Sequence, residues 1–171
     1  MFIKRNITDV LTRRAKNSRC LLLTGPRQVG KSTLLKHNYP GVKYYTFDDQ
    51  VLLTSATEDP KLFLKNIPKP SILDEVQYAK ELFPYIKIEC DKEERYENYY
   101  LTGSQQMKLM SKAKESLAGR VSILELQGLS LREINGIAFN RHFVPTDEYI
   151  HAREQELKPY KNIWQIIHRG S

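Results

Sequence analysis

The chain has 171 residues, 40% hydrophobic and 27% charged, with a net charge of +7 and a sequence pI near 9.3. That size allows one full core and is short for two, and the balance is that of an ordinary globular domain, not a disordered or fibrous chain. No apolar stretch approaches a membrane span, the opening Met1-Phe2-Ile3-Lys4-Arg5 lacks the apolar core of a signal peptide, and Cys20 and Cys90 have no metal-ligand spacing, so they read as reduced thiols of a cytoplasmic protein.

From Lys4 to Lys16, Ile7, Val10 and Leu11 recur at helical spacing, which predicts a packing helix ahead of the first strand. Cys20-Leu21-Leu22-Leu23-Thr24 is a short apolar run and reads as strand one. Gly25 to Ser32 then read Gly-Pro-Arg-Gln-Val-Gly-Lys-Ser, fitting the phosphate-binding pattern G-x-x-x-x-G-K-[ST]. Glycines let backbone N–H groups turn inward around phosphates, a lysine at Lys31 reaches the β- and γ-phosphates, and the Ser32 hydroxyl ligates Mg²⁺. Thr33 to His37 reads as helix, so strand, glycine loop and helix N-terminus together make an anion site. A tight turn with no ligand is the bland alternative.

Breakers at His37-Asn38-Tyr39-Pro40-Gly41 precede strand two, Val42 to Phe47. Short helices follow at Val51 to Ala56 and Pro60 to Lys65. Ser71-Ile72-Leu73 is strand three and closes on Asp74-Glu75. Tyr78 to about Arg95 reads as largely helical, with Pro84 near the start of its main part. Asn98 to Thr102 is strand four, followed by Gly103-Ser104-Gln105. Met107 to Leu117 reads as helix, Val121 to Leu126 as strand five, and Ser130-Leu131-Arg132-Glu133 has the spacing of a capping box. Asp147 to Leu157 looks helical, and Tyr160 to His168 carries Trp164, Ile166 and Ile167. Apolar strands alternating with helices predict a parallel sheet covered on both faces, with ligands beyond the carboxyl ends of the strands, where all the chemical residues are expected to lie.

In a phosphate-loop protein a carboxylate ending the third strand, here Asp74, holds Mg²⁺, and a second one beside it, Glu75, polarises a water for attack on the γ-phosphate. A kinase needs no such water activator, so the Asp74-Glu75 pair favours hydrolysis; a merely charged strand end is the alternative. Ser104 and Gln105 stand where a polar side chain reaches the γ-phosphate, while Ser104 could equally cap the next helix. Arg120 lies between a helix and strand five; it is either a phosphate-contacting arginine, in cis or from a neighbouring subunit, or a surface arginine paired with Glu115 or Glu125. Arg27 holds a variable position of the loop, and Asp48 and Asp49, at the same rim at the end of strand two, read as caps, with a role supporting the site for one of them as the alternative. The positive charge suits nucleic acid, although a nucleotide site is positive in any case and Arg13, Arg14, Lys16, Arg19, Lys108, Lys112 and Lys114 are scattered.

Thr24 to Ser32, Leu73-Asp74-Glu75-Val76-Gln77, Glu81 to Lys87, Leu101 to Gln105 and Glu115 to Arg120 together resemble the AAA-domain ATPases of bacteria and archaea, AAA+/STAND-like proteins whose second half is a domain of uncharacterised function related in fold to restriction-type nucleases. The match runs from about Arg5 to Glu133. The resemblance implies an α/β P-loop NTPase three-layer sandwich with a parallel five-stranded sheet of order 5-1-4-3-2, an N-terminal helix and an incomplete C-terminal helical region. Residues 1–135 are then the ATPase core, and 136–171 a helical extension that starts a lid or a further domain. It implies ATP/ADP and Mg²⁺, held by Gly25, Pro26, Arg27, Gln28, Val29, Gly30, Lys31, Ser32 and Thr33, with Ser32 and Asp74 on the metal. Glu75, Lys31, Ser104 and Arg120 take catalytic roles, and Arg120 in trans implies self-association. Partners are the nucleotide and, through the charge and the relatives' nuclease-like half, nucleic acid; no membrane partner is expected. Relatives typically continue further, so the resemblance makes the chain a truncated product, an engineered fragment or a naturally short member. A nucleotide-dependent switch with negligible turnover is the alternative to a working ATPase. No guanine-reading Asn/Thr-Lys-x-Asp pattern is present, which leans towards ATP.

Overall fold

All five runs that read as strands pair. β1 (Cys20–Gly25), β2 (Lys43–Thr46), β3 (Ser71–Asp74), β4 (Tyr99–Ser104) and β5 (Val121–Glu125) form one sheet in the order β2-β3-β4-β1-β5, every pair parallel. This is the expected 5-1-4-3-2 order read from the other edge. The computed structural model describes residues 2–92, 95–104, 111, 113, 115–137, 141–156 and 164. They fall into two units, Asp9–Gln127, which holds the sheet, and Met1–Thr8 with Gly128–Ser171.

β1 is buried at every residue and β4 at all but its last, and each opens on an unbroken apolar run, Cys20 to Leu23 and Tyr99 to Leu101. Helices α1 (Thr8–Lys16), α2 (Lys31–Asn38), α3 (Gln50–Glu58), α4 (Pro60–Asn66) and α5 (Leu82–Lys92) flank the sheet. On one face Cys20, Leu22, Leu73, Tyr99 and Leu101 share a core with Ala56 of α3, Phe63 and Leu64 of α4, and Leu82, Phe83 and Ile86 of α5. Alternation sends the intervening Leu21, Leu23, Ile72 and Tyr100, also buried, to the other face. There α2 packs on β1 and β4, and Tyr39 at its C-terminal end stacks on Tyr100 with ring centroids 4.1 Å apart. Each fully buried leucine contributes about 1.5–3 kcal/mol, so packing on both sides holds the strand tips in fixed relation.

Local chemistry sets the helix starts. Asp49 caps α3 by accepting from the Val51 and Leu52 N–H groups, and Asp59 caps α4 ahead of Pro60. The capping reading of Asp49 thus holds. α5 begins at Leu82, later than the reading from Tyr78. Residues 75–81 are taken up by a turn, in which Tyr78 N–H bonds Glu75 O and Ala79 N–H bonds Val76 O. Glu75 opens it at φ 58, in the left-handed region. Most of the helix expected at Met107 to Leu117, and the segment Tyr160 to His168 apart from residue 164, lie outside the described residues; Ala113 and Leu117 are buried in the core.

In the unit of Met1–Thr8 and Gly128–Ser171, the capping box at Ser130 is present and opens a short helix, Leu131–Ile134. Ser130 Oγ accepts from the Glu133 N–H at 3.2 Å, and the Glu133 carboxylate accepts from the Ser130 N–H at 2.8 Å. The same carboxylate accepts from Arg5 Nε at 3.1 Å and from the Asn6 N–H at 2.7 Å. A further helix, Asp147–Gln155, is capped by Thr146.

Candidate functional site

The carboxyl ends of β1, β3 and β4 converge on one cluster. After β1 the chain loops through residues 25–30 and enters α2 at Lys31. Gly25 lies at φ 146, and a Cβ there would come within 2.1 Å of the Leu126 carbonyl oxygen, so only glycine fits where the loop leaves the sheet. Gly30, at φ 90, is the N-cap of α2 and offers no side-chain cap. The first N–H groups of α2 are therefore available to an anion at the positive end of the helix dipole. Pro26, Arg27 and Gln28 are exposed, Val29 and Gly30 half-buried, and Thr33 exposed on the first turn of α2. Arg27 reaches the Tyr78 hydroxyl at 3.1 Å.

Lys31 is only 5% exposed. Its ammonium curls back over the loop and donates to Pro26 O at 2.7 Å and Gly25 O at 3.1 Å. Ser32 Oγ, one residue on, donates to Asp74 Oδ1 at 2.6 Å, so the loop and the tip of β3 are joined directly. Asp74 also accepts from the Tyr44 hydroxyl on Oδ2 at 2.6 Å and from Thr102 Oγ1 on Oδ1. Burial, and then the bond to Asp74, push the Tyr44 phenol above its ordinary range, so it stays a donor.

Thr102 ties two acidic positions together. While its hydroxyl donates to Asp74, it accepts from the Glu75 N–H at 3.2 Å. Glu75 Oε2 accepts from Gln77 Nε2, and Gln77 Oε1 accepts from the Ser104 N–H at 3.2 Å. Ser104 Oγ is buried with no hydrogen-bond partner among the described residues. The buried donors, the open helix end and the unpaired hydroxyl suit a phosphate ligand. Ser32 and Asp74 offer hard oxygen donors, and no group of three His, Cys, Asp or Glu capable of holding a metal occurs among the described residues. A hydroxyl and a carboxylate completed by phosphate oxygens is a set that suits Mg²⁺ rather than a transition metal.

The family described as AAA domain matches residues 17–135. This chain belongs to the AAA-domain family. Two uncharacterised proteins, of Mycobacterium bovis and Mycobacterium tuberculosis, are each 34% identical to it over 143 residues, 82% of this chain. The matched part of this chain spans about a third (32%) of the length of those relatives. The crystal structure of a DNA replication initiation factor aligns with a TM-score of 0.51 at 15% identity, covering 96% of this chain and 54% of that one, and so shares its fold.

One expected site residue of the AAA domain lies elsewhere. Arg120 precedes β5, and its carbonyl accepts from the Cys20 N–H at 3.0 Å, at the amino end of the sheet. The length of β1, about 17 Å at ~3.3 Å per residue, separates it from the phosphate loop. The expectation that every chemical residue lies at a carboxyl end thus fails for Arg120, because in a parallel sheet all strand starts gather on the side away from the loop. Its partner is neither Glu115 nor Glu125. The guanidinium binds Asp91 at 2.6 and 3.0 Å, and those bonds hold Asp91 below the usual carboxylate range. Gln105 lies outside the described residues. Tyr44, Gln77 and Thr102 join the cluster without having been singled out. Gln77 and Thr102 stand inside the resembling motifs, whereas Tyr44 carries no sequence signal beyond its strand.

Proposed function

We propose that this AAA domain binds ATP with Mg²⁺ and hydrolyses it, using the cycle to change conformation or assembly. The observation that carries the reading is the hydrogen-bonded chain from Ser32 through Asp74 and Thr102 to Glu75, Gln77 and Ser104 at the mouth of the phosphate loop. The loop N–H groups and Lys31 would hold the phosphates, the lysine exchanging its two loop carbonyls for phosphate oxygens. Mg²⁺, held from Ser32 and Asp74, would offset negative charge on the phosphates. Glu75 would accept the proton of a water as its oxygen bonds to the γ-phosphorus and ADP leaves. Ser104, whose hydroxyl lacks a partner among the described residues, would sense the γ-phosphate. Residues 1–135 would form the core and 136–171 a helical extension; the family match over residues 17–135 supports the end of the core near 135.

The test pairs two substitutions. Lys31→Ala is expected to abolish nucleotide binding. Glu75→Gln keeps the size and the Gln77 contact of the side chain but removes its basicity, so binding should persist while turnover falls by a factor of about a hundred or more. Undiminished hydrolysis in Glu75→Gln would overturn the assignment. A second reading, a nucleotide switch with negligible turnover, is favoured by the position of Arg120. Its own sheet holds it away from its own phosphate loop, so Arg120 would meet a γ-phosphate only on a second copy of the chain.

A further inference from the structure

Asp74 carries three hydroxyl donors on one carboxylate. Ser32 and Thr102 both donate to Oδ1, and Tyr44 donates to Oδ2. A carboxylate has about four acceptor positions, two on each oxygen. Among the described residues Oδ1 is therefore filled, and Oδ2 keeps a single position beside the Tyr44 hydroxyl. Tyr44 reaches this point from the neighbouring strand. In the β2–β3 register Thr46 stands opposite Asp74 and Tyr44 opposite Ile72, so Tyr44 lies two residues back on the face that Asp74 and Ile72 share. Its ring is held in turn by α2, whose Lys36 ammonium sits 3.3 Å from the ring centroid.

We propose that Tyr44 is a positioning residue for metal binding, its hydroxyl fixing the direction in which Asp74 presents its one remaining acceptor position to a divalent cation or to water on that cation. The proposal rests on the reading of Ser32 and Asp74 as the metal side of a nucleotide site. Without the hydroxyl, the carboxylate is held only through Oδ1 and swings about those contacts. Groups that hydrogen-bond a metal carboxylate orient it, and their removal typically weakens metal binding by a factor of about 10–100.

Tyr44→Phe removes the hydroxyl and leaves the ring under Lys36. A fluorescent ADP analogue is titrated against the full chain, first in excess EDTA and then across a Mg²⁺ series, with thermal unfolding followed in parallel. The expected result is an unchanged affinity in EDTA, an unchanged unfolding transition, and a Mg²⁺ concentration for half-maximal tightening raised about tenfold. An unchanged Mg²⁺ requirement overturns the proposal. So does an equal loss of affinity with and without Mg²⁺, which would mean that Tyr44 shapes the loop rather than the carboxylate. If the unsubstituted chain binds no ADP analogue in either condition, or binds it equally in both, the underlying nucleotide or metal reading fails and takes the proposal with it. Those results are distinct from a failure of Tyr44 alone.

Discussion

Gln77 joins two strand tips through one amide, its nitrogen on the Glu75 carboxylate and its oxygen on the Ser104 N–H. At 5% exposure it has little water to fall back on, so its contacts fix its orientation. Glu75 in turn has a backbone held at φ 58 by its place in the turn, so Gln77 decides where the carboxylate points. Leucine has similar bulk and no polar atoms. Gln77→Leu leaves the Ser104 N–H unpaired and Glu75 free to rotate. A misplaced base costs about a hundredfold in rate when the displacement is near 1 Å. The expected outcome is a fall in kcat of about 10–100-fold with nucleotide affinity retained, measured by steady-state hydrolysis beside equilibrium binding. A parallel loss of both would mean that Gln77 supports the loop and not the aim of Glu75.

The short helix Leu131–Ile134 depends on a carboxylate that does three things. Glu133 closes its own capping box, accepts from the Asn6 N–H, and pairs with Arg5, the two charged side chains being 6% and 7% exposed. Burial alone would raise the Glu133 carboxyl, but the bonds from Ser130, Asn6 and Arg5 outweigh it and hold it below its ordinary 4.5. A carboxylate depressed in the folded state contributes stability that is complete above its unfolded value and is lost as pH falls through the folded one. Glu133→Gln is therefore expected to cost about 3 kcal/mol at neutral pH, as breaking a buried pair does. The deficit should shrink as pH drops below 4.5, and thermal unfolding of both chains at neutral and acid pH measures it. A deficit that stays constant into acid would remove the charge from the account. This box was legible in the sequence because capping is local, three residues apart. The strands were legible for a similar reason, since runs such as Cys20 to Thr24 are buried on both faces and bounded by breakers. The start of α5 was not, because the turn after Glu75 is set by Val76 N–H bonding the Thr102 carbonyl at 2.9 Å, a contact between strands. In the same way the loop, Asp74 and Glu75 announce themselves by spacing, whereas Tyr44 meets Asp74 only once β2 lies beside β3.

At the scale of the whole molecule, the placement of Arg120 makes turnover a question of how many chains meet. The guanidinium sits at the amino end of the sheet, bound to Asp91, with Arg19 also on that carboxylate at 3.3 Å. It is about a strand's length from its own phosphate loop, so only a second copy could bring it to a γ-phosphate. The pair with Asp91 is partly exposed and screened by water, so exchanging Asp91 for a phosphate costs little. An arginine supplied in trans accelerates phosphoryl transfer by about 10³–10⁵ in well-formed sites. Hydrolysis per subunit should therefore rise with protein concentration, and Arg120→Ala should abolish that rise without weakening nucleotide binding. Mixing sharpens the test. Lys31→Ala chains keep Arg120 but lack a working loop, and Arg120→Ala chains keep the loop but lack the arginine. Each alone should be nearly inactive, and the mixture should recover turnover because one chain supplies what the other lacks. Constant turnover per subunit across dilution, or a mixture no more active than its parts, would return Arg120 to a surface ion pair and leave the chain as a switch that binds nucleotide and scarcely hydrolyses it.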